Sequence, residues 1–186
     1  MTFPTAYLPP VSYLRALNRA DEAWIETEEH YVKQTLRNRC RIDSPGGVLS
    51  LSIPIVKPIG KTAIKDIRIS NHGHWRHQHW TALVSSYGQS PFFEYYQDDF
   101  APFYEQEWTF LADFNEALLR LLCKLIDISP QWQRTTAYQG ISDWEHSVNE
   151  PLKPYYQGFA LRHGFLTDLS TADLLFNMGP ESVFYL

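Results

Sequence analysis

The residues best suited to chemistry in this sequence lie in a basic segment, KQTLRNRCR, at positions 33–41. Four of the sixteen lysines and arginines of the chain fall within it: Lys33, Arg37, Arg39 and Arg41. On a strand, alternation would direct the three arginines to one face, where they would repel one another unless they met an anion. Because guanidinium binds phosphate or carboxylate through two parallel hydrogen bonds, the segment predicts an anion site. The alternative is a solvated face that pairs with the acidic residues Glu26, Glu28 and Glu29.

A second candidate is the histidine-rich segment 71–80, which holds four of the seven histidines of the chain. His74 and His77 would share one face of a helix, but no HExxH pattern and no cysteine pair accompanies them, so no metal is predicted. At the start of a helix such residues are better placed to contact an anion, because free N–H groups there favour negative charge. Trp75 and Trp80 are more typical of core anchors than of stacking platforms.

Other short patterns give no support to a familiar chemistry. Gly60-Lys61-Thr62 follows Ile55, where a P-loop requires glycine, and the sequence has no GxSxG, GxGxxG or paired CxxC motif. No cofactor is therefore predicted. Cys40 between Arg39 and Arg41 would have a stabilised thiolate, although alternation directs it to the opposite face of the strand.

The elements that must position these segments follow an α/β or α+β pattern, with α/β preferred. Residues 3–8 and 23–25 predict strands on either side of a helix that begins near Pro10, and such a β-α-β unit favours parallel pairing. Runs at 37–42 and 48–55 flank a turn at 44–47 and predict a central hairpin. Further strands are expected at 64–69, 131–138 and 155–161, and further helices at 71–87, 91–104, 109–126 and 170–177. We expect one domain over residues 1–186, with a mixed sheet and several packed helices.

Composition limits the partners. Hydrophobic residues make up 44% of the 186 positions and charged residues 20%, which is typical of a chain that folds without a partner. The formal charge of −5 repels phosphodiester backbones and an anionic membrane surface, so no nucleic acid is predicted. No run reaches the roughly 20 apolar residues that span a bilayer, and no signal peptide is evident, so a cytoplasmic location is expected. Oligomeric state is left open.

Taken in order, several motifs resemble those of the WbqC-like protein family. They are YLPPVSY at 7–13, Lys33, NRCRI at 38–42, IPI at 53–55, IKDIRI at 64–69, WRHQHW at 75–80 and DLLFNMGP at 173–180. Tyr7 stands near the position of a usual histidine, and Ser12 stands at that of a usual glycine. The resemblance implies bacterial surface-polysaccharide (O-antigen) biosynthesis as the setting and leaves the reaction open.

The leading hypothesis is a transferase that places an acyl or aminoacyl group on the amine of a nucleotide-linked or otherwise activated amino sugar. His79 would act as general base, since a neutral imidazole accepts a proton near pH 7, and Arg76 would stabilise the developing oxyanion. The expected substrate-binding residues are Lys33, Asn38, Arg39, Trp75, Tyr155, Gln157 and Asn177.

The alternative hypotheses are a non-catalytic sugar- or nucleotide-binding module and a scaffold for other enzymes. The catalytic hypothesis requires that residues 33–41 and 74–80 face one cleft, because its anion-holding groups and its base come from these two segments.

Overall fold

The computed structural model describes residues 1–146 and 151–186. Its architecture is α/β, as predicted. The strands are Thr2–Pro4 (β1), Ala23–Glu26 (β2), Arg39–Ile42 (β3), Leu49–Ser52 (β4) and Trp132–Arg134 (β5). The α-helices are Val11–Arg19 (α1), Trp75–Tyr87 (α2), Phe93–Glu105 (α3), Leu111–Ile126 (α4), Ala160–His163 (α5) and Thr171–Met178 (α6). Three 3-10 turns cover Ile64–Asp66, His72–His74 and Gly179–Tyr185.

The predicted β-α-β unit is confirmed. β1 pairs in parallel with β2, with Thr2 opposite Trp24, and β2 pairs in parallel with β5, with Ala23 opposite Trp132. The sheet order is therefore β1-β2-β5. Because all three strands run the same way, their carboxyl ends meet at one edge, where ligands bind in open α/β sheets. The loop from β1 to α1, residues 5–10, lies at that edge.

The predicted hairpin is confirmed as well, with shorter strands than expected. β3 and β4 pair antiparallel in a separate two-stranded sheet, with Arg39 opposite Ser52 and Ile42 opposite Leu49. The turn depends on Gly47, whose φ of 97° is a conformation that glycine adopts without strain. Burial alternates along β3, so Cys40 and Ile42 face the core, and Arg39 and Arg41, which alternate with them, face outward.

Two strand predictions are wrong. Residues 64–69 begin with a 3-10 turn, and the N–H groups of Ile64 and Lys65 donate to the carbonyls of Glu29 and Thr27 rather than to a neighbouring strand. Residues 155–161 include no strand, and their second half enters the short helix α5. The irregular region predicted at 140–154 is borne out for 140–146 and 151–154, while residues 147–150 lie outside the described part of the chain.

The core combines aliphatic residues with many aromatic rings. Phe114 of α4 contacts five other rings, which belong to Tyr7, Trp75, Phe103, Tyr104 and Trp108. Most aromatic residues therefore serve packing, as predicted for Trp75. In the described residues, no helix combines the length and apolar character that crossing a bilayer requires.

Candidate active-site groove

A groove of about 250 Å³ lies against the outward face of β3, at the end of the β1–α1 loop. Three segments complete its walls: the β1–α1 loop, residues 34–36 and residues 168–170. The lining residues are Leu8, Pro10, Gln34, Thr35, Leu36, Arg39, Cys40, Arg41, Asp168 and Ser170. The groove thus adjoins the carboxyl end of β1, at the edge where the fold favours ligand binding.

Two guanidinium groups line the groove without a carboxylate partner. The Nε of Arg39 donates to the hydroxyl of Ser52 at 2.9 Å, and a terminal nitrogen of Arg41 donates to the carbonyl of Asp168 at 2.9 Å. Within residues 1–146 and 151–186, neither arginine lies within ion-pair distance of an acid. Both keep donors free for an anion, because a guanidinium group has five N–H donors.

Arg37 departs from the predicted row of arginines. It precedes β3, and its buried guanidinium forms two parallel bonds with the Glu29 carboxylate at 2.7 and 2.6 Å. The alternative interpretation, a pairing with the acidic segment, therefore applies to Arg37. It does not extend to Arg39 and Arg41, because Glu28 is paired with Lys65 instead.

Asp168 connects three parts of the groove wall. Its carboxylate accepts the backbone N–H and the hydroxyl of Ser12, both at 2.9 Å, and so caps the start of α1. Its carbonyl accepts from Arg41. Sequence analysis missed Asp168, because a contact across 156 positions leaves no local pattern.

Backbone strain is concentrated at the groove. Five non-glycine residues in the described ranges have positive φ: Leu8, Gln34, His74, Asp127 and Asp168. Three of them, Leu8, Gln34 and Asp168, line the groove. Because such conformations cost free energy and cluster at functional sites, their position supports a functional groove independently of its charge.

His79 lies in the core behind the groove. Its Nδ1 is 2.8 Å from the hydroxyl of Tyr7, and its imidazole donates to the carbonyl of Ser52. Burial lowers its pKa to about 4, so the ring is neutral at pH 7. Tyr7 precedes Leu8, and Ser52 contacts Arg39, so His79 connects two walls of the groove. These contacts support a positioning role, and its role as a general base stays a prediction.

The remaining residues predicted from the two segments lie apart from the groove. Arg76 is 2.8 Å from the amide oxygen of Asn71 and 3.5 Å from the carboxylate of Glu107, and neither partner lines the groove. Trp75 is buried. The amide nitrogen of Asn38 donates to the carbonyl of Ile53, just after β4. Lys33 is exposed and precedes Gln34, which lines the groove. Arg39 is the predicted binding residue that lines the groove, and no residue of 74–80 does.

The three binding residues predicted near the C-terminus meet around Asp173, which sequence analysis did not select. The carboxylate of Asp173 lies 2.6 Å from the Tyr155 hydroxyl, 3.1 Å from the Gln157 amide nitrogen and 3.4 Å from the Asn177 amide nitrogen. Burial raises its pKa to about 6, although the donors oppose the shift. Gln157 also exchanges two hydrogen bonds of 2.9 Å with Leu166, which precedes Asp168 by two positions. This buried cluster supports the groove wall.

Burial also affects Cys40. It raises the pKa of the thiol, so the neighbouring arginines do not stabilise a thiolate. The described residues contain no group of three or more histidine, cysteine or acidic side chains that could hold a metal ion.

Comparison with known proteins points to the same family as the motifs. A family model described as the WbqC-like protein family matches residues 5–150. The chain belongs to this family. An uncharacterised protein of Mycobacterium tuberculosis, Rv1507c, is 27% identical to this WbqC-like chain over 217 residues, covering 97% of this chain and 94% of the relative. No solved structure matches the chain. The family match includes the groove residues from Leu8 to Arg41 and ends before Asp168.

Proposed function

We propose that this WbqC-like protein binds, in the groove, a small ligand that carries both a phosphate or carboxylate group and an amine. One observation carries the proposal: the guanidinium groups of Arg39 and Arg41, which form no ion pair within the described residues, share a groove with Asp168, whose carboxylate also accepts two hydrogen bonds from Ser12. An activated amino sugar has this combination of charges. Arginine binds its phosphate in a fork geometry, and a carboxylate attracts its ammonium group.

The size of the groove limits what it holds. Its volume of about 250 Å³ is below the roughly 300–1,000 Å³ of pockets that enclose a drug-sized ligand. We therefore propose that a sugar ring and its attached phosphate occupy the groove, and that a nucleotide, where the ligand carries one, lies outside it.

Since no residue of 74–80 lines the groove, we propose a version of the transfer hypothesis in which Asp168 rather than His79 is the base. The reaction would be acyl or aminoacyl transfer to the bound amine, in the surface-polysaccharide setting that the family resemblance implies. The amine nitrogen would bond to the acyl carbon, and the bond from that carbon to its carrier would break with the electron pair leaving on the carrier. The ammonium group would first pass a proton to Asp168, which is the one acid among the described lining residues, and this frees the nitrogen lone pair for the attack. The second N–H proton would leave with the departing carrier. The non-catalytic binding module is the alternative, and it requires the same ligand contacts without this proton transfer.

The test compares two ligands that differ only in the amine, glucosamine 1-phosphate and glucose 1-phosphate, by titration calorimetry. Arg39→Gln and Arg41→Gln should each weaken both ligands by about tenfold to a hundredfold, because each removes a charged hydrogen-bond donor. Asp168→Asn should weaken the amino sugar more than glucose 1-phosphate, since asparagine tolerates positive φ but carries no charge, while the loss of one acceptor for Ser12 affects both ligands.

Arg76→Gln is the matched control, because it removes a guanidinium group outside the groove. Unchanged affinity in both the Arg39 and the Arg41 variant would refute the proposed site. Ligand binding without any acylated product, assayed by mass spectrometry with a range of activated acyl donors, would favour the binding module over the transferase.

A further inference from the structure

Two neighbouring loops form an exposed tip beside the groove. Residues 30–34 and 56–61 are joined at their bases, where the N–H of Tyr31 donates to the carbonyl of Thr62 at 3.1 Å and His30 bridges Ala63. We call these two segments the basic tip. Gln34, its last residue on one side, lines the groove.

Aliphatic side chains project from the basic tip into solvent. Val32 is 49% exposed, Val56 is 51% exposed and Ile59 is 97% exposed. Single exposed apolar residues are common on protein surfaces, but here three occur on two adjoining loops. This arrangement leaves apolar surface available to a partner.

The basic tip is positively charged, whereas the chain as a whole has a formal charge of −5. Lys33, Lys57 and Lys61 are exposed, and neither segment contains an aspartate or glutamate. The nearest acids along the chain on the N-terminal side, Glu28 and Glu29, are already paired with Lys65 and Arg37. Since salt screens charges beyond about 8–10 Å, a partner at the tip meets these lysines rather than the net charge of −5.

We propose that the basic tip docks the protein on an anionic lipid surface. Lysines attract anionic headgroups, while the aliphatic side chains enter the interface, and binding at a lipid interface strengthens with both the buried apolar area and this electrostatic attraction. Protein interfaces are instead rich in aromatic residues and arginine and poor in lysine, and proteins that bind single-stranded nucleic acid use aromatic rings for stacking. The exposed large hydrophobic residues of the tip are all aliphatic.

Docking of this tip would bring the groove wall at 34–36 next to the membrane. The contact is peripheral, and it involves loops rather than a spanning helix. It is also independent of the ligand proposed above, because Arg39, Arg41 and Asp168 lie outside the tip.

The experiment is co-sedimentation of the whole chain with vesicles of phosphatidylcholine alone or mixed with phosphatidylserine. The wild-type protein should bind the anionic vesicles and release them at high salt. Lys57→Glu and Lys61→Glu should each reduce the partition coefficient at least about fivefold, the effect of one lysine near the surface. Ile59→Ser should reduce it about tenfold by removing one buried aliphatic side chain.

The controls are Lys124→Glu in the last turn of α4 and Leu161→Ser in α5, both exposed and outside the tip. These variants should bind as the wild type does. All the substituted side chains are exposed, and circular dichroism melting curves will check that each variant is folded. Equal sedimentation with both kinds of vesicle, or wild-type binding by all the tip variants, would overturn the proposal. Binding to a single-stranded oligonucleotide with no binding to vesicles would replace it with a nucleic-acid surface.

Discussion

At the scale of single residues, His79 shows why a residue type does not determine a role. A histidine near a basic segment is typical of acid–base catalysis, and the sequence supports that interpretation. In the fold, the same ring is neutral, buried and bonded to Tyr7 and Ser52. The sequence could not predict this outcome, because Tyr7 is 72 positions away and the carbonyl of Ser52 carries no sequence signal.

The low pKa of His79 makes a prediction about stability. Its folded pKa of about 4 lies below the unfolded value of 6.5, so its contribution is complete above pH 6.5 and is lost as pH falls through 4. We expect wild type to lose about 3 kcal/mol relative to His79→Gln between pH 6.5 and 4. Urea unfolding of both proteins at several pH values measures this difference. A difference that does not change with pH would contradict the buried, neutral imidazole.

At the scale of elements, the sequence predicted the hairpin and the common face of Arg39 and Arg41, because alternation along a strand is a local property. It did not predict that β3 begins only at Arg39, so the predicted row of outward-facing arginines wrongly included Arg37. The wall formed by residues 168–170 could not be predicted, since its contacts with α1 and β3 are made between distant parts of the chain.

The cap on α1 can be tested by Ser12→Ala. This change removes the hydroxyl that donates to Asp168, and we expect it to lower the free energy of unfolding by about 1 kcal/mol. Phosphate affinity in the groove should fall as well, because the carbonyl of Asp168 holds Arg41.

Ser85→Ala, at an exposed position of α2, is the matched control and should change neither quantity. Denaturant unfolding and phosphate titration measure the two effects. If Ser12→Ala behaved like Ser85→Ala, the cap would not be part of the site.

At the scale of the whole molecule, two buried titratable groups change the free energy of unfolding with pH in opposite directions. Asp173 has a folded pKa of about 6 against an ordinary value of 3.8, so its contribution to stability is complete below pH 3.8 and is lost as pH rises through 6. His79 loses stability in the opposite direction over nearly the same range. The two effects are each about 3 kcal/mol and therefore largely cancel in the wild-type protein.

Asp173→Asn removes the pH-dependent stability contribution of Asp173 and leaves that of His79. Between pH 6 and 4 we expect the variant to lose stability relative to wild type by about 2 kcal/mol, because only wild type takes up a proton at this position on folding. Asp98→Asn, in α3 and exposed, provides a control at a carboxylate outside the cluster. Unfolding free energies of both proteins measured across this pH range give the sign of the difference. A variant that gained stability relative to wild type on acidification would refute the burial of a carboxyl group with a raised pKa.

The two walls of the groove come from opposite ends of the chain. Besides the bond from Ser12 to Asp168, the N–H of Thr171 donates to the carbonyl of Pro9 at 2.7 Å, and the N–H of Val11 donates to that of Leu169 at 3.0 Å. During synthesis, α1 and β3 leave the ribosome long before residues 168–171 are translated. A nascent chain therefore has no complete groove, and ligand binding begins only after residues 168–171 have left the ribosome.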